Sequence, residues 1–472
     1  MAKTPDITAE KLARVAELHY VYNSSREKII AELSQDLLER EEGYDLSNVN
    51  VWLTQAAKKH VIAFDIDPSF AIVGNRNEIL ERRLNHAFGL EEPIVVDVEE
   101  TALQDPKAAD LHTALANQTG MRLSQIPSSK TRFFVAGGRT VVHVARMIKR
   151  HRLLWSNIRI DPLSGRNWTG YWHVDGPDLE RPLDADDATV ILASAFPKGA
   201  TFSQIGHPLY AENADQARAI MGEHCAFLPD GGWNWDREIP YPTRRGICGI
   251  GSLHPESGHR IMSFLETYLK NYGVKGPEDL RRMIEDGTLA RIKLPESPDR
   301  SAPYLSRVAL ELIAAITFAA ERDLGYFGDI ANRLYPCLPL PKALDEGDLP
   351  EVKDYGELVT KLNALNSRAV VMQWSHLRNV DAWVTAGGTL KLEPIWTLAI
   401  TRYIEQRLSS APNREESILT QLTTDSETVQ KLLSALNAFK NASPRIKQWY
   451  TDLSEILFRD DRAEGVEVGI TV

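Results

Sequence analysis

Thr131-Arg132-Phe133-Phe134-Val135-Ala136-Gly137-Gly138-Arg139-Thr140 is an apolar run that stops at a pair of glycines. Residues 141–149 continue with apolar side chains at helical spacing. Strand, glycine pair and helix form the unit from which parallel α/β sheets are built. Glycine lets the backbone come close to a ligand. The first N–H groups of a helix have no partner within it, so they can hold an anion. Thr140 adds a hydroxyl, and Arg139 adds a planar fork suited to phosphate or carboxylate. A tight turn with no ligand would use the same two glycines.

Three more glycine strings follow in the chain: Gly249-Ile250-Gly251, Gly325-Tyr326-Phe327-Gly328-Asp329 and Gly387-Gly388-Thr389-Leu390-Lys391. Each is expected to be a turn after an apolar run. Three of the four read as turns at the C-terminal ends of parallel strands, where open α/β sheets bind small anionic ligands. Lys391 would sit in the first turn of a helix, against the helix dipole, which weakens a purely structural reason for it. Asp329 is suited to accept sugar hydroxyls. Tyr326 and Phe327 suit either a ring-stacking surface or a core plug. Ser252 and His254 are further polar candidates beside the Gly249-Ile250-Gly251 string.

The chain has 472 residues, 43% hydrophobic and 25% charged, which predicts a globular protein of two or three domains. A net charge of -11 argues against a surface coated for nonspecific nucleic-acid binding. No apolar run approaches the ~20 residues that span a bilayer, and no apolar segment follows Met1-Ala2-Lys3-Thr4-Pro5-Asp6, so neither membrane association nor a signal peptide is expected. Cys225, Cys248 and Cys337 are far apart and odd in number, which fits a reducing cytoplasm and gives no metal-ligand spacing.

Strands are expected at 93–98, 131–136, 188–193, 246–250 and 367–372, alternating with helices. Ahead of them lies a helical module. Leu12, Val15 and Ala16 mark its first helix, and Ser24 with Glu27 reads as a capping box for the second. Asp45 is a good cap for a third, with Val49, Trp52, Leu53 and Ala56 inward. Asn48, Asn50, Thr54, Gln55, Lys58 and Lys59 occupy its other face. A strand at 61–67 would stand where a wing belongs. Residues 228–242, rich in Pro, Gly and Trp, read as a long irregular insertion. After about residue 407 two amphipathic helices are expected, the second starting from Ser443 with Pro444.

No catalytic constellation stands out. The chain has no His-Glu-x-x-His zinc motif, no Gly-x-Ser-x-Gly elbow and no complete nucleotide-hydrolase phosphate loop. Neither a metal nor a cofactor is implied.

Taken in order, these residues resemble the SorC family of bacterial transcriptional regulators over about residues 10–405. The resemblance rests on 49–62 as recognition helix and following strand, 77–90 as linker helix, and 134–140 as a glycine-arginine-threonine loop. It continues in His207-Pro208-Leu209-Tyr210-Ala211, in Gly249-Ile250-Gly251, in 325–329 and in Gly387-Gly388 with Lys391. It implies an effector domain related to sugar-phosphate isomerases and deaminases, a phosphorylated sugar at the strand ends, and a homo-dimer or homo-tetramer on operator DNA. Carried over by position, Gly138, Arg139, Thr140 and Lys391 would hold the phosphate and Asp329 would face the sugar; Gly137, Gly249, Gly251, Gly387 and Gly388 complete the candidate effector site. The second helix and its turn are longer than the usual helix-turn-helix. Glu32, Asp36, Glu39, Glu41, Glu42 and Asp45 cluster ahead of the recognition helix, so phosphate contacts would fall to Lys58 and Lys59.

The expected organisation is therefore a winged helix-turn-helix at 1–68, a linker helix at 69–91, an open parallel α/β effector domain at 92–405, and a helical C-terminal extension at 406–472. The expected function is a cytoplasmic, effector-responsive transcriptional regulator, with no catalytic residues. Two alternatives remain open: a sugar-phosphate isomerase or deaminase using Asp329, Glu393 or His254 as base, and a metabolite-sensing scaffold that binds protein.

Overall fold

The computed structural model describes residues 9–21, 24–35, 46–58, 75–98, 109–126, 130–150, 153, 155–166, 184–196, 199–224, 243–254, 259–292, 303–372, 374–377, 380–407 and 418–458. The chain divides into two units, 1–71 and 72–472.

The first unit contains the helices Ala9–Ala16, Arg26–Gln35 and Leu46–Lys58, with one π turn at Glu17–Val21. Leu12, Val15, Ile29, Val49, Trp52, Leu53 and Ala56 close on one another as its core. The second helix is capped one residue later than expected: the Ser25 hydroxyl, rather than Ser24, accepts from the Lys28 N–H at 3.3 Å. The expected wing at 61–67, Asp45 and Lys59 lie outside the described residues.

The described residues of the second unit form ten strands in chain order: β1 (Asn75–Arg76), β2 (Ile94–Asp97), β3 (Thr131–Val135), β4 (Ile158–Pro162), β5 (Ala200–Phe202), β6 (Thr243–Ser252), β7 (Phe327–Ile330), β8 (Arg333–Pro336), β9 (Asp381–Thr385) and β10 (Gln421–Asp425). The main sheet runs β1-β2-β10-β9-β6-β3-β4-β5, all parallel except β1. From β3 the chain steps outward to β4 and β5. From β6 it steps the other way, to β9 and β10. The adjacent C-terminal ends of β3 and β6 therefore form a topological switch point, the place where open α/β sheets leave a crevice.

Several expectations need correction. Residues 188–193 are not a strand but part of the helix Ala185–Ala193. Asp184 accepts from the Asp187 N–H at 2.9 Å while the Asp187 carboxylate accepts from the Asp184 N–H at 3.3 Å, and this reciprocal cap carries the helix through the β-branched run. Residues 367–372 finish the helix Val352–Arg368 and then make only isolated bridges, Ala369 to Tyr210 and Val371 to Ser164. Gly249 and Gly251 are not in a turn: both lie inside β6. That strand pairs in parallel with β3 and β9 and then, from Ile250, antiparallel with β7.

The largest correction is at the C-terminus, which is not a purely helical extension. It supplies β10, which fills the gap between β2 and β9. Its sequence, Gln421-Leu422-Thr423-Thr424-Asp425, has one strongly apolar residue, yet every position is buried. Part of its polarity is satisfied inside: the Thr119 hydroxyl bonds Thr423 at 2.8 Å and Thr385 at 3.0 Å. The two expected helices do follow, as Ser426–Asn441 and Pro444–Ile456, and pack on the same core through Val429, Leu432, Phe439, Trp449 and Tyr450. The helix expected as a linker, Glu78–Phe88, also joins this core through Leu80, Leu84 and Phe88. Buried Arg402 donates to the carbonyls of Phe88 (3.1 Å), Gly89 (2.6 Å) and Leu419 (2.7 Å), tying that helix to the C-terminal segment.

Asp425 holds the junction. It is fully buried at the end of β10. Its Oδ2 accepts from the Gly388 N–H at 2.8 Å and the Thr428 hydroxyl at 2.7 Å, and its Oδ1 accepts from the Thr428 N–H at 2.7 Å. Replacement Asp425→Ala leaves these donors unmatched and removes a helix cap. It is expected to lower unfolding stability by about 3 kcal/mol, measured by urea denaturation. A loss under about 1 kcal/mol would show that the carboxylate is not the tie between turn and helix.

Candidate functional site

The strand ends at the switch point carry the side chains of interest. After β3 the chain turns at Gly137 and Gly138 into the helix Arg139–Arg150. Gly137 is held close to its neighbours: a Cβ there would stand 3.0 Å from the Ala185 backbone nitrogen. Gly138 has φ of +119°, and no described atom lies within 4 Å of its missing Cβ, so the loop is open at that point. Arg139 is exposed beside this opening. Thr140 is buried, with its hydroxyl 2.9 Å from His112 Nδ1.

After β9 the chain turns at Gly387 and Gly388 into a short 3-10 turn, Thr389–Lys391, and then the helix Leu392–Arg407. Gly388 has φ of +90°, and Gly387 lies against the Asp425 carboxylate, leaving no room for a side chain. Because the Gly388 N–H is already given to Asp425, this turn offers its lysine rather than that amide to a ligand. Lys391 is half-buried. Its ammonium makes no hydrogen bond or ion pair with the described residues. Burial lowers its pKa to about 8; the charge of Asp329 opposes that shift and the charge of Arg139 adds to it. Those two effects place Arg139, Lys391 and Asp329, from three separate strings, within one local field.

Asp329 reaches this place on the β7–β8 hairpin, which extends β6 past the sheet. The two-residue turn Ala331-Asn332 has φ of +54° and +68°, the sense that matches strand twist. The Asn332 N–H donates to Asp329 Oδ2 at 3.0 Å, and the Asn332 side-chain amide donates to Ser164 Oγ at 2.9 Å. His259 approaches Asp329 Oδ1 through Nε2 at 2.7 Å while its Nδ1 accepts from the Ile261 N–H at 3.2 Å. An occupied acceptor at Nδ1 puts the ring proton on Nε2, so His259 donates to Asp329. Gly251 makes the pair possible: any side chain there would collide with Asp329 Oδ1 and the His259 ring. Asp329 is thus a buried carboxylate with both oxygens oriented by donors. Its charge also reaches Cys248, whose thiol burial pushes up to about 12.

The structure therefore brings Gly137, Gly138, Arg139, Gly251, Asp329 and Lys391 to one sheet edge. Gly249 stays in the sheet, where it lies against Val141 and Thr385. His254 packs edge-on against Tyr326 with ring centroids 4.5 Å apart. His259 stands out in the sequence, flanking Glu256 with His254 as a candidate ligand or acid-base group, but nothing there joins it to Asp329; the residues missed are Asn332, His112 and Asp425. Only Asp425 had a local signal, as a cap ahead of the apolar stripe that begins at Val429. In the first unit, Asn50 and Thr54 are exposed on the helix Leu46–Lys58. The Thr54 hydroxyl donates to the Asn50 carbonyl at 2.9 Å. Gln55 is half-buried, and its side-chain oxygen finds no hydrogen bond. Among the described residues no group of three or more His, Cys, Asp or Glu side chains is placed to hold a metal ion, and no helix is long and apolar enough to cross a membrane.

No family model and no curated protein matches the chain. Among solved structures it is similar to SorC-type regulators. The full-length sorbitol operon regulator SorC from Klebsiella pneumoniae is 16% identical, with 90% of this chain and 99% of that chain covered and a TM-score of 0.40. A DeoR family transcriptional regulator from Listeria monocytogenes is 14% identical, covering 75% and 98%, with a TM-score of 0.39. A transcriptional regulator from Streptococcus pneumoniae is 13% identical, covering 76% and 96%, with a TM-score of 0.40. Identities and scores this low transfer no function.

The lysine sets a pH dependence. With a pKa of about 8, Lys391 is cationic below that value and neutral above it, so it favours a bound anion only at the lower pH. Sulfate affinity at constant ionic strength should fall by about tenfold between pH 7 and pH 9.5. Lys391→Arg, which stays charged, should flatten the profile. An unchanged profile in wild type would remove Lys391 from the site.

Proposed function

We propose that this chain is a sugar-responsive transcriptional regulator whose second unit binds a phosphorylated sugar at the β3–β6 switch point. One observation supports the reading: Arg139 stands exposed beside the open Gly138 loop after β3, and half-buried Lys391 follows the Gly387-Gly388 turn after β9, both at C-terminal strand ends. Two cations suit a phosphate. A carboxylate held by His259 and the Asn332 N–H suits hydroxyl groups. A ligand with an anionic end and a polyol end satisfies both. In this reading Arg139, Lys391 and the open Gly138 loop take the phosphate, and Asp329 takes sugar hydroxyls.

The DNA role is assigned to the first unit, through the helix Leu46–Lys58. Val49, Trp52, Leu53 and Ala56 are turned into the unit's core, and Asn50 and Thr54 stand exposed beside Val51, where Asn suits adenine edges. Effector and DNA would then be linked through the equilibrium between quaternary arrangements, with paired subunits on paired half-sites. One observation favours an enzyme, the His259–Asp329 pair. However, both ring nitrogens of His259 are engaged, one by Asp329 and one by the Ile261 N–H, so the ring is read as orienting a binding carboxylate rather than moving a proton.

A thermal-shift screen of phosphorylated and unphosphorylated sugars tests the effector reading. Melting temperature should rise only with phosphorylated compounds. Arg139→Ala with Lys391→Ala should weaken the best ligand by about 100-fold or more, with the melting temperature of the free protein little changed. No response to any phosphorylated sugar, or full affinity in the double variant, would overturn the assignment. Selection from a random duplex pool tests the DNA role. An enriched sequence should bind with affinity that drops steeply as salt rises, and no enrichment would reject it.

A further inference from the structure

We infer that His112 is a positioning residue for the anion site: from a buried helix, its Nδ1–H turns the Thr140 hydroxyl proton toward a bound anionic oxygen. This rests on, and deepens, the reading of residues 137–140 as the anion loop. That reading does not stand on the helix start alone: half-buried Lys391, whose ammonium makes no hydrogen bond or ion pair with the described residues, follows the Gly387-Gly388 turn, and Leu115 of the helix that carries His112 lies against that turn.

The geometry is a hydrogen bond of 2.9 Å between His112 Nδ1 and Thr140 Oγ1, with both residues buried. His112 belongs to the helix Ala109–Gln125. Three contacts that do not involve Thr140 fix that helix. Thr119, seven residues further along nearly the same face, bonds Thr385 of β9 and Thr423 of β10. Leu115 lies 3.1 Å from where a Gly387 Cβ would be. Gly120 brings the helix against the next one: a Cβ there would stand 2.6 Å from Met147 Cβ. The helix that carries the imidazole is therefore held independently of Thr140.

A threonine hydroxyl has one proton and two lone pairs, and a neutral imidazole has one donor and one acceptor nitrogen. If Thr140 gives its proton to Nδ1, nothing is left to donate to an anion. If Nδ1 carries the proton, Thr140 accepts from the ring and its own proton is free. An anion accepts but does not donate, so it selects the second arrangement. Binding then shifts the imidazole toward the Nδ1–H form, and His112 contributes to affinity without touching the ligand.

The test uses the full chain with sulfate as probe, at constant ionic strength. His112→Leu and Thr140→Val should each weaken sulfate by about tenfold, and the double variant should be no weaker than either single one, because both break the same relay. His112→Asn, whose amide supplies a donor near the Nδ1 position, should recover binding to within about twofold of wild type. A role in packing alone would not predict that recovery. Imidazole 15N shifts of wild type should show proton density moving to Nδ1 as sulfate is added. Additive losses, an asparagine variant as weak as the leucine variant, or ring shifts unmoved by sulfate would overturn the relay while Arg139→Ala still weakened binding. Absence of any sulfate binding by wild type would overturn the relay and the anion loop together.

Discussion

The insertion of β10 between β2 and β9 is the constraint on which the remaining architecture depends. Without it, β2 and the helix Glu78–Phe88 have no parallel neighbour, and β9 has an open edge. The strand also ends in Asp425, which closes the Gly387-Gly388 turn from behind and caps the following helix. Lys391 follows that turn, so its position is dictated from a part of the sequence more than thirty residues later. A buried carboxylate that satisfies three donors at once is costly to replace, because each donor would be left without water. That cost makes the turn geometry a fixed property of the fold.

The cationic and acidic side chains at the strand ends are held by different means. On the cationic side, Arg139 is exposed and Lys391 half-buried, and partial desolvation keeps the lysine less basic than in water. On the acidic side, Asp329 is oriented by a ring N–H and a backbone N–H, and a two-residue turn with positive φ at Ala331 and Asn332 sets the hairpin that delivers it. Positive φ at alanine is uncommon, and its strain, of order 1–3 kcal/mol, persists only where surrounding contacts over-determine the conformation. The Asn332 bonds to Asp329 and Ser164 are such contacts. The carboxylate is held by two donors, and Arg139 stands exposed at the start of its helix.

Much of this was legible in the sequence. The run 131–140 identified the central strand, its turn and its helix, and the glycine strings carrying Arg139, Asp329 and Lys391 do converge. Apolar periodicity found Val49, Trp52, Val429 and Trp449 as inward positions because helical spacing is local information. What failed was non-local. Residues 188–193 look like a strand by composition, but the cap at Asp184 starts a helix four residues earlier. The segment 421–425 lacks a strand's apolar content, and one of its threonines, Thr423, is satisfied by Thr119, some three hundred residues earlier. His259 and Asp329 are seventy residues apart, and no spacing rule joins them. The glycine at 251 was read as a turn, although its role is to leave room beside a strand.

The order of the strands also bears on how the protein is made. Residues 94–97 leave the ribosome early, and their parallel partner is translated more than three hundred residues later. Until residue 425 emerges, β2 and β9 each present a bare edge, the kind of surface on which nascent chains associate wrongly. A chain interrupted before that point has Arg139, Asp329 and Lys391 but lacks the carboxylate that closes the Gly387-Gly388 turn behind Lys391. The closed Gly387-Gly388 turn behind Lys391 is therefore completed late in synthesis.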